Sequence, residues 1–484
     1  MGLSSLPRVV IAGLAGDAGK TLVSAGLLRA LFRQGLTVAP FKKGPDYIDA
    51  AWLEAAAGNP ARNLDTYLMP DSALLESLAS ASGADLIVIE GNRGLFDGQD
   101  AQGSHSTAEL AKRLQAPVVL VLDASKATRT IAALVLGCLA LDPALPLAGV
   151  ILNRVGTRRQ EQVIRDALAS ITSVPVLGAI PRLSSDPLPS RHLGLVMPTE
   201  RLDRERVLGL MADAVSGAVD MESVLRIART APPIQVAGAE TEAGTGSGNR
   251  PPSVKIGVLK DEAFCFYYRE NLAALEAQGA TLLPISPIHD DVLPDVDALY
   301  AGGGYPEQHA LALSANSQFR SLLLDKIVCG LPVWAECGGL MYLASTLVVK
   351  DRRYPMVGAL PIVVEQTTRL QGHGYVSATV DADNPFFPAG MALRGHEFHY
   401  SRVVKFAGDV TTALSLDRGT GIGDCRDGIV CGRVFASYMH IFAPGTPEWA
   451  KAFLRVVRET SLRPINPIPI GVNCGSDNSG RRAD

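Results

Sequence analysis

Between Arg8 and Pro181 six apolar runs, RVVIAG, TVAPFK, ADLIVIEG, PVVLVLDA, LAGVILNR and VPVLGAIP, alternate with stretches of helical spacing such as TLVSAGLLRALF and TIAALVLGCLAL. Short apolar runs separated by amphipathic segments predict a mostly parallel sheet covered by helices on both faces. Residues 200–230 read as helical and close this half. The next stretch, 231–252, is rich in Gly, Pro, Ala and Thr and has no apolar period, which reads as a linker. Alternation resumes at VKIGVLKD, runs through ALYAGGGYPE to LPVWAEC, and turns β-like after Arg352. A helix near 447–461 precedes a polar tail at 465–484, expected to be mobile. The expected organisation is therefore a domain at 1–230, the linker at 231–252, a second domain at 253–464 and the tail. No internal repeat is visible.

Composition narrows the class. At 484 residues, 47% hydrophobic and 19% charged, the chain can bury two or more cores. A net charge of −4 gives no electrostatic reason to expect nucleic acid as the main partner. No apolar run reaches transmembrane length, and MGLSSLPRVVIAG leads directly into a strand rather than reading as a signal peptide. Seven cysteines without CxxC spacing argue against a disulfide framework and for a reducing, cytoplasmic setting. Cys138 and Cys329 read as core residues.

The first strand runs into Gly13, Gly16, Gly19, Lys20 and Thr21, with one residue more between Gly13 and Gly19 than the usual phosphate loop has. Glycines let backbone N–H groups close round phosphates, Lys20 can reach the outer phosphates, and Thr21 can ligate Mg²⁺. The competing reading is a Gly-rich turn that binds nothing, which the flanking strand and helix disfavour. Two acidic spots should share that sheet edge: FKKGPDYID with Lys42, Lys43, Asp46 and Asp49, and IEGNRGLFDG with Glu90 and Asp97. Carboxylates there can hold Mg²⁺ on a nucleotide or act on a substrate, although each spot alone could be a solvated turn. Asn153 could read a base edge or form a turn, and Arg191 with His192 is similarly placed.

In the second half, LPVWAECGGLMYL reads as a buried strand, Cys337 at its end, and a helix starting at Gly338. Such a turn lifts one side chain out of the backbone, and a nearby helix N-terminus favours thiolate. Gly303 and Gly304, after strand DALY, would supply backbone donors to an oxyanion. FASYMH ends in His440, a candidate base and later acid. A Cys flanked by glycines is often structural; the strand context, the Gly triplet and the downstream His reverse that reading. His396 and His399, three apart in a strand-like run, fall on alternate faces and read as structural or substrate-lining rather than as a metal pair.

Taken together, FKKGPDYID, NLD, EGNRGLFDG, STAELAK, GVILNRVG, RHLGL, AECGGLMYL, RGHEFHYS and ASYMH resemble the cobyrinate a,c-diamide synthase family, in family order and over nearly the whole chain to about residue 460. The resemblance implies an α/β protein: an N-terminal P-loop parallel-sheet domain like dethiobiotin synthetase, fused to a class I-like glutaminase domain. It implies that L-glutamine forms a thioester at Cys337 with help from His440, releasing ammonia. ATP with Mg²⁺ phosphorylates a carboxylate of the tetrapyrrole, and ammonia displaces the phosphate. By motif position it assigns Gly16, Gly19, Lys20, Thr21, Asp46, Glu90 and Asn153 to ATP and Mg²⁺, the metal through Thr21, Asp46 and Glu90. Lys42, Asp49 and Asp97 are assigned to substrate and carboxylate activation. The family lacks the acidic residue that usually follows the histidine, and here His440 is followed by Ile441 and Phe442.

Partners are small molecules, with no nucleic acid or membrane, and a homodimer remains open. Lys43, Trp52, Asn92 and Arg93 depart from the family text near the expected substrate edge. They leave sirohaem or nickel sirohydrochlorin as the alternative to cobyrinate or hydrogenobyrinate. A dethiobiotin-type transferase, or a P-loop ATPase switch without amidation, would leave the glutaminase half without a role. Cobyric acid synthase, the sister amidotransferase, is disfavoured by GPDYID and RGHEFHYS.

Overall fold

The computed structural model describes residues 2–4, 6–185, 187–188, 190–191, 194–236, 253–406, 408 and 410–462. Two compact units emerge, and each interrupts the other in sequence. Unit 1 comprises Met1–Arg250, Phe266–Ala274 and Phe442–Pro447; unit 2 comprises Pro251–Cys265, Leu275–Ile441 and Glu448–Asp484.

Unit 1 is built on seven strands: β1 (Arg8–Gly13), β2 (Val38–Lys43), β3 (Arg62–Leu64), β4 (Leu86–Glu90), β5 (Val118–Asp123), β6 (Leu147–Val155) and β7 (Val176–Pro181). Their order is β3-β2-β4-β1-β5-β6-β7, parallel throughout. Every residue of β1 and β4 is buried, as apolar runs demand when helices cover both faces. Each buried Val, Leu or Ile contributes about 1.5–3 kcal/mol relative to exposure. Helix α1 (Lys20–Arg33) follows β1 after Gly19, whose φ of 95° is a left-handed value that favours glycine. The parallel arrangement brings the phosphate loop, Lys42, Glu90 and Asn153 to the carboxyl edge of the sheet, as the alternation predicts.

Two stretches from beyond the expected linker complete unit 1. Tyr47 stacks on Phe266 with ring centroids 5.1 Å apart, Tyr268 meets Phe442 at 4.7 Å, and Asn271 Oδ1 accepts from Ala443 N at 2.7 Å. Within the expected linker, Ile234–Val236 forms a strand antiparallel to Gly2–Ser4. The rest of that segment, and the tail expected at 465–484, lie outside the described residues.

Unit 2 holds a ten-stranded sheet: β8 (Val254–Leu259), β9 (Ala280–Ile285), β10 (Ala298–Ala301), β11 (Val333–Glu336), β12 (Gly372–Val380), β13 (Ala392–His399), β14 (Thr411–Arg418), β15 (Arg426–Cys431), β16 (Val434–Ser437) and β17 (His440–Ile441). The order is β9-β8-β10-β11-β16-β15-β14-β12-β13-β17. The first five strands are parallel and the remainder antiparallel, matching the change of pattern after Arg352. Trp334 on β11 stacks on Phe435 of β16 at 4.7 Å and anchors an aromatic core with Phe386, Phe387 and Trp449. β11 ends at Glu336, and Cys337 leads directly into helix α2 (Gly338–Leu343). Among the described residues, no helix is long and apolar enough to cross a membrane.

Candidate functional site

In unit 1, a cavity of about 650 Å³ opens over the phosphate loop, lined by Gly16, Gly19, Lys20, Thr21, Lys42, Asp46, Asp49 and Asn153 among others. Its hub is Lys42, 1% exposed, whose Nζ donates to Asp49 Oδ2 at 2.6 Å, Glu90 Oε1 at 2.7 Å and Gly91 O at 3.2 Å. Burial alone would lower the Lys42 pKa, but Asp49 and Glu90 raise it above its ordinary value. Lys20 has no such close carboxylate: its Nζ donates to Ala15 O at 3.0 Å, and burial with Lys42 nearby lowers its pKa. Asp46 Oδ1 accepts from Asp49 N at 2.9 Å, and burial beside Asp49 pushes its carboxyl up to about 7. Burial raises Glu90 as well.

Thr21 Oγ1 donates to Glu90 Oε1 at 3.1 Å, while Glu90 Oε2 is buried without a hydrogen-bond partner among the described residues. An orphan carboxylate oxygen, a threonine hydroxyl and the Asp46 carboxyl form an all-oxygen donor set that suits a hard cation such as Mg²⁺.

Other predicted residues take different places. Asn153 lines the cavity, yet its Nδ2 donates to Ala18 O at 3.0 Å and its Oδ1 accepts from Arg154 N at 2.9 Å, so its polar groups brace the phosphate loop. A Cβ on Gly19 would collide with that Asn153 amide. Asp97 is exposed and outside the cavity lining; its carboxylate accepts from Gly94 N at 2.9 Å and caps its own turn. Of the departures from family text, Lys43 is buried and paired with Asp65 at 3.7 Å. Trp52 is 1% exposed and donates to Val196 O at 2.9 Å. Neither lines the cavity, whereas Asn92 and Arg93 do, together with Arg154 and Arg182, which the sequence did not single out. His192 lies outside the described residues, and the Arg191 side chain is likewise not described.

In unit 2, Cys337 has φ 47° and ψ −95°, a strained turn that a non-glycine residue rarely adopts. This is the elbow the strand–Cys–Gly–Gly pattern predicts. A Cβ on Gly339 would collide with Ala301 O, and one on Gly338 would lie 3.0 Å from Gly304 N. The elbow therefore needs both glycines to sit against the 301–304 loop. Cys337 N donates to Ser437 O at 2.7 Å, tying β11 to the segment that leads to His440.

Expectation and structure differ on the thiol's charge. Cys337 is 7% exposed, and burial pushes its pKa well above the ordinary thiol value, with Glu307, Glu336 and Asp427 adding to the rise. The Gly338 N–H opposes this, and the six-residue helix behind it does not overcome the desolvation. The thiol is protonated at rest.

His440 is 2% exposed and stacks on His396, ring centroids 4.8 Å apart and 19° from parallel. Its Nδ1 lies 3.6 Å from Glu336 Oε2. Glu336, the residue before the nucleophile, is absent from the sequence-derived set, although a carboxylate inside the buried run VWAE was a visible signal. His399 stacks on Tyr438 at 3.8 Å, and its Nδ1 lies 2.7 Å from Ser401 O. No cluster of three or more metal-ligating His, Cys, Asp or Glu occurs among the described residues. Cys138 is buried as expected, but Cys329, at a helix C-terminus, is exposed.

A phosphate-loop cavity on a parallel sheet and a strained, glycine-flanked thiol on a mixed one describe a nucleotide-binding, glutamine-dependent amidotransferase. Two family models match accordingly: a CobQ/CobB/MinD/ParA nucleotide binding domain over residues 9–196 and a CobB/CobQ-like glutamine amidotransferase domain over residues 255–447. Cobyrinate a,c-diamide synthase of Methanothermobacter thermautotrophicus is 43% identical, covering 93% of this chain and 99% of its own. The enzymes of that name from Syntrophotalea carbinolica and Magnetococcus marinus are 42% and 41% identical, each over 94% of this chain and covering 100% and 98% of their own. The chain belongs to the cobyrinate a,c-diamide synthase family.

Proposed function

We propose that this protein amidates the a- and c-acetate carboxylates of cobyrinate, using ATP and glutamine. The observation that carries the reading is one chain holding both the Lys42-centred cavity and the Cys337 elbow while matching synthases of that name along nearly its full length. The relatives' names favour the corrin over sirohaem, and two of the four residues that motivated sirohaem, Lys43 and Trp52, are built into the core.

A carboxylate is a poor electrophile, so its oxygen first takes the γ-phosphoryl group of ATP, giving an acyl phosphate and ADP. Ammonia then attacks the carbonyl and phosphate leaves. The phosphate-loop backbone and Lys20 hold the nucleotide phosphates, and Lys42 neutralises charge where the carboxylate and the phosphoryl group meet. Thr21, Asp46 and Glu90 would hold Mg²⁺, which supplies charge neutralisation at the phosphates when bound. In unit 2 the Cys337 thiol gives its proton to His440, and its sulfur attacks the glutamine amide carbon. The oxyanion is stabilised by amides near Gly303 and Gly304, ammonia leaves with a proton from His440, and water releases glutamate from the thioester. The free state of the described cysteines suits a cytoplasmic setting.

The test is mass-resolved turnover of the purified protein with ATP, Mg²⁺ and glutamine, offered cobyrinic acid and sirohaem in parallel. Two successive replacements of OH by NH₂ on the corrin are expected. Amidation of sirohaem alone, or of neither, overturns the substrate assignment.

A further inference from the structure

We propose that Glu336 is the positioning acid of the glutaminase centre, so that Cys337, His440 and Glu336 act as a triad whose acid precedes the nucleophile. The inference rests on the reading of Cys337 as nucleophile and His440 as base.

The strand places this carboxylate. Side chains two apart on a strand share a face, so Trp334 and Glu336 of β11 point the same way, and Tyr300 of β10 is the register partner of Trp334. Glu336 Oε1 accepts from Trp334 Nε1 at 3.0 Å and from Ile441 N at 3.1 Å, and Oε2 accepts from Tyr300 OH at 3.0 Å. Three neutral donors fix both oxygens, and Oε2 faces His440 Nδ1 at 3.6 Å. That is too long for a hydrogen bond in the resting state and close enough to stabilise the ring once it carries a proton. With Nδ1 turned to Glu336, the triad assigns Nε2 to the thiol.

The rest of the surroundings point to the same acid. Asp427, also fully buried, spends its oxygens on Gly428 N, Tyr438 N and Met439 N, so it shapes the turn before His440 rather than facing the ring. His396 is the register partner of His440 on β13 and stacks on its face. Burial holds His396 well below its ordinary value, so it presents an uncharged surface. A Cβ on Gly395 would collide with His440 O, which explains the glycine before His396. The ring is thus gripped on its face by His396 and on its edge by Glu336.

The experiment is the pH profile of glutaminase activity in the full-length protein for wild type, Glu336→Gln and Tyr300→Phe. The ionisable groups to consider are Glu336 on β11, His396 on β13 with His373 beside it, and Cys337 with Glu307 and Asp427 acting on it. Glu336→Gln is expected to lower kcat about 10–100-fold while the glutamine KM stays within about twofold. Its acid limb should move to lower pH, because His440 must be neutral to take the thiol proton and the imidazolium loses its counter-charge. Tyr300→Phe, which only loosens the carboxylate, should move that limb the same way by less. Denaturant unfolding followed by tryptophan fluorescence reports that each variant is folded, and ammonia-supported amidation that the phosphate-loop site is intact.

A Glu336→Gln protein with kcat within about twofold of wild type, or one that loses rate with its acid limb unmoved, overturns the triad. Labelling of wild-type Cys337 by 6-diazo-5-oxo-L-norleucine separates the two readings. No label on Cys337 overturns the nucleophile assignment itself; a label with an unaltered Glu336→Gln profile overturns only the role of Glu336.

Discussion

The two sites treat buried charge in opposite ways. Above the phosphate loop, Asp46, Asp49 and Glu90 crowd round Lys42 at the rim of a cavity of about 650 Å³. At the elbow the thiol is closed in and protonated, and the stacked His396 is held neutral. A site that receives phosphates and a cation is charged in advance, because the ligands complete its neutralisation. A site that must make its own nucleophile keeps that nucleophile uncharged until a proton can move, since a thiolate in that dry pocket, beside Glu307, Glu336 and Asp427, would be costly.

The sharpest way to break this contrast is to remove one centre of each kind. Cys337→Ser should reduce glutamine-dependent amidation by more than about 1,000-fold and leave ammonia-dependent amidation intact. Equal loss with both nitrogen donors would mean that the two chemistries are not separate. Lys42→Met should be the most damaging change in unit 1, leaving Asp49 and Glu90 without their cation. Breaking a buried pair in this way costs about 3–5 kcal/mol, so denaturant unfolding should show a loss of that order and ATP-dependent turnover should fall at least about 100-fold. A stable, active Lys42→Met protein would remove the hub from the argument.

How much of this was legible in the sequence follows the same division. The phosphate loop is contiguous, and Lys42, Glu90 and Asn153 end strands of one parallel sheet, so period and position sufficed to bring them together. Direction was harder. Lys42 and Lys43 are adjacent, so a strand turns them to opposite faces: Lys42 meets Asp49 and Glu90, and Lys43 meets Asp65. Counting both as substrate-edge residues ignored that alternation. Asp97 was placed near the chemistry by its acidic loop, and in the structure its carboxylate meets the shorter-range demand of a turn N–H. Glu336 was missed because the acid was sought after His440, whereas the parallel pairing of β11 with β16 brings the residue before Cys337 to the histidine. The stretches 266–274 and 442–447 join unit 1 through tertiary contacts that no local pattern records.

Two milder perturbations tune each site without destroying it. Asp46 holds its proton up to about 7 through burial beside Asp49, and a metal needs the carboxylate, so Mg²⁺ binding should release a proton. Apparent Mg²⁺ affinity should therefore rise several-fold from about pH 6 to about pH 8, and Asp46→Asn should flatten that dependence. A flat wild-type profile would exclude Asp46 from the metal site. At the elbow, Glu307 is the largest charge effect on Cys337 after burial. Glu307→Gln should lower the pH at which iodoacetamide alkylates Cys337 by about one unit, because removing a negative neighbour favours the thiolate. An unmoved alkylation profile would remove Glu307 from the causes and leave burial with Glu336 and Asp427.

The smallest expected effect comes from a buried carboxyl that belongs to neither site. Glu270 accepts from Asn63 N at 3.0 Å, and its Oε2 is buried without a hydrogen-bond partner among the described residues. With no cation like Lys42 against it, burial pushes its pKa from 4.5 to about 7. The folded state then binds this proton more tightly than the unfolded chain does. Stability from Glu270 is fully present below about pH 4.5 and is lost as pH rises through about 7, the sign opposite to that of a salt-bridged carboxylate. Glu270→Gln keeps an acceptor for Asn63 N and carries no charge, so it should cancel that loss. The variant should unfold like wild type near pH 4.5 and be more stable by about 1–3 kcal/mol near pH 8, read from denaturant midpoints at both values. If the gap between the two proteins does not open with pH, the Glu270 carboxyl is ionised in the fold. A carboxylate could then persist with neither a lysine nor the three donors that hold Glu336, and the contrast between a cation-centred nucleotide site and a protonated thiol would need a cause other than burial.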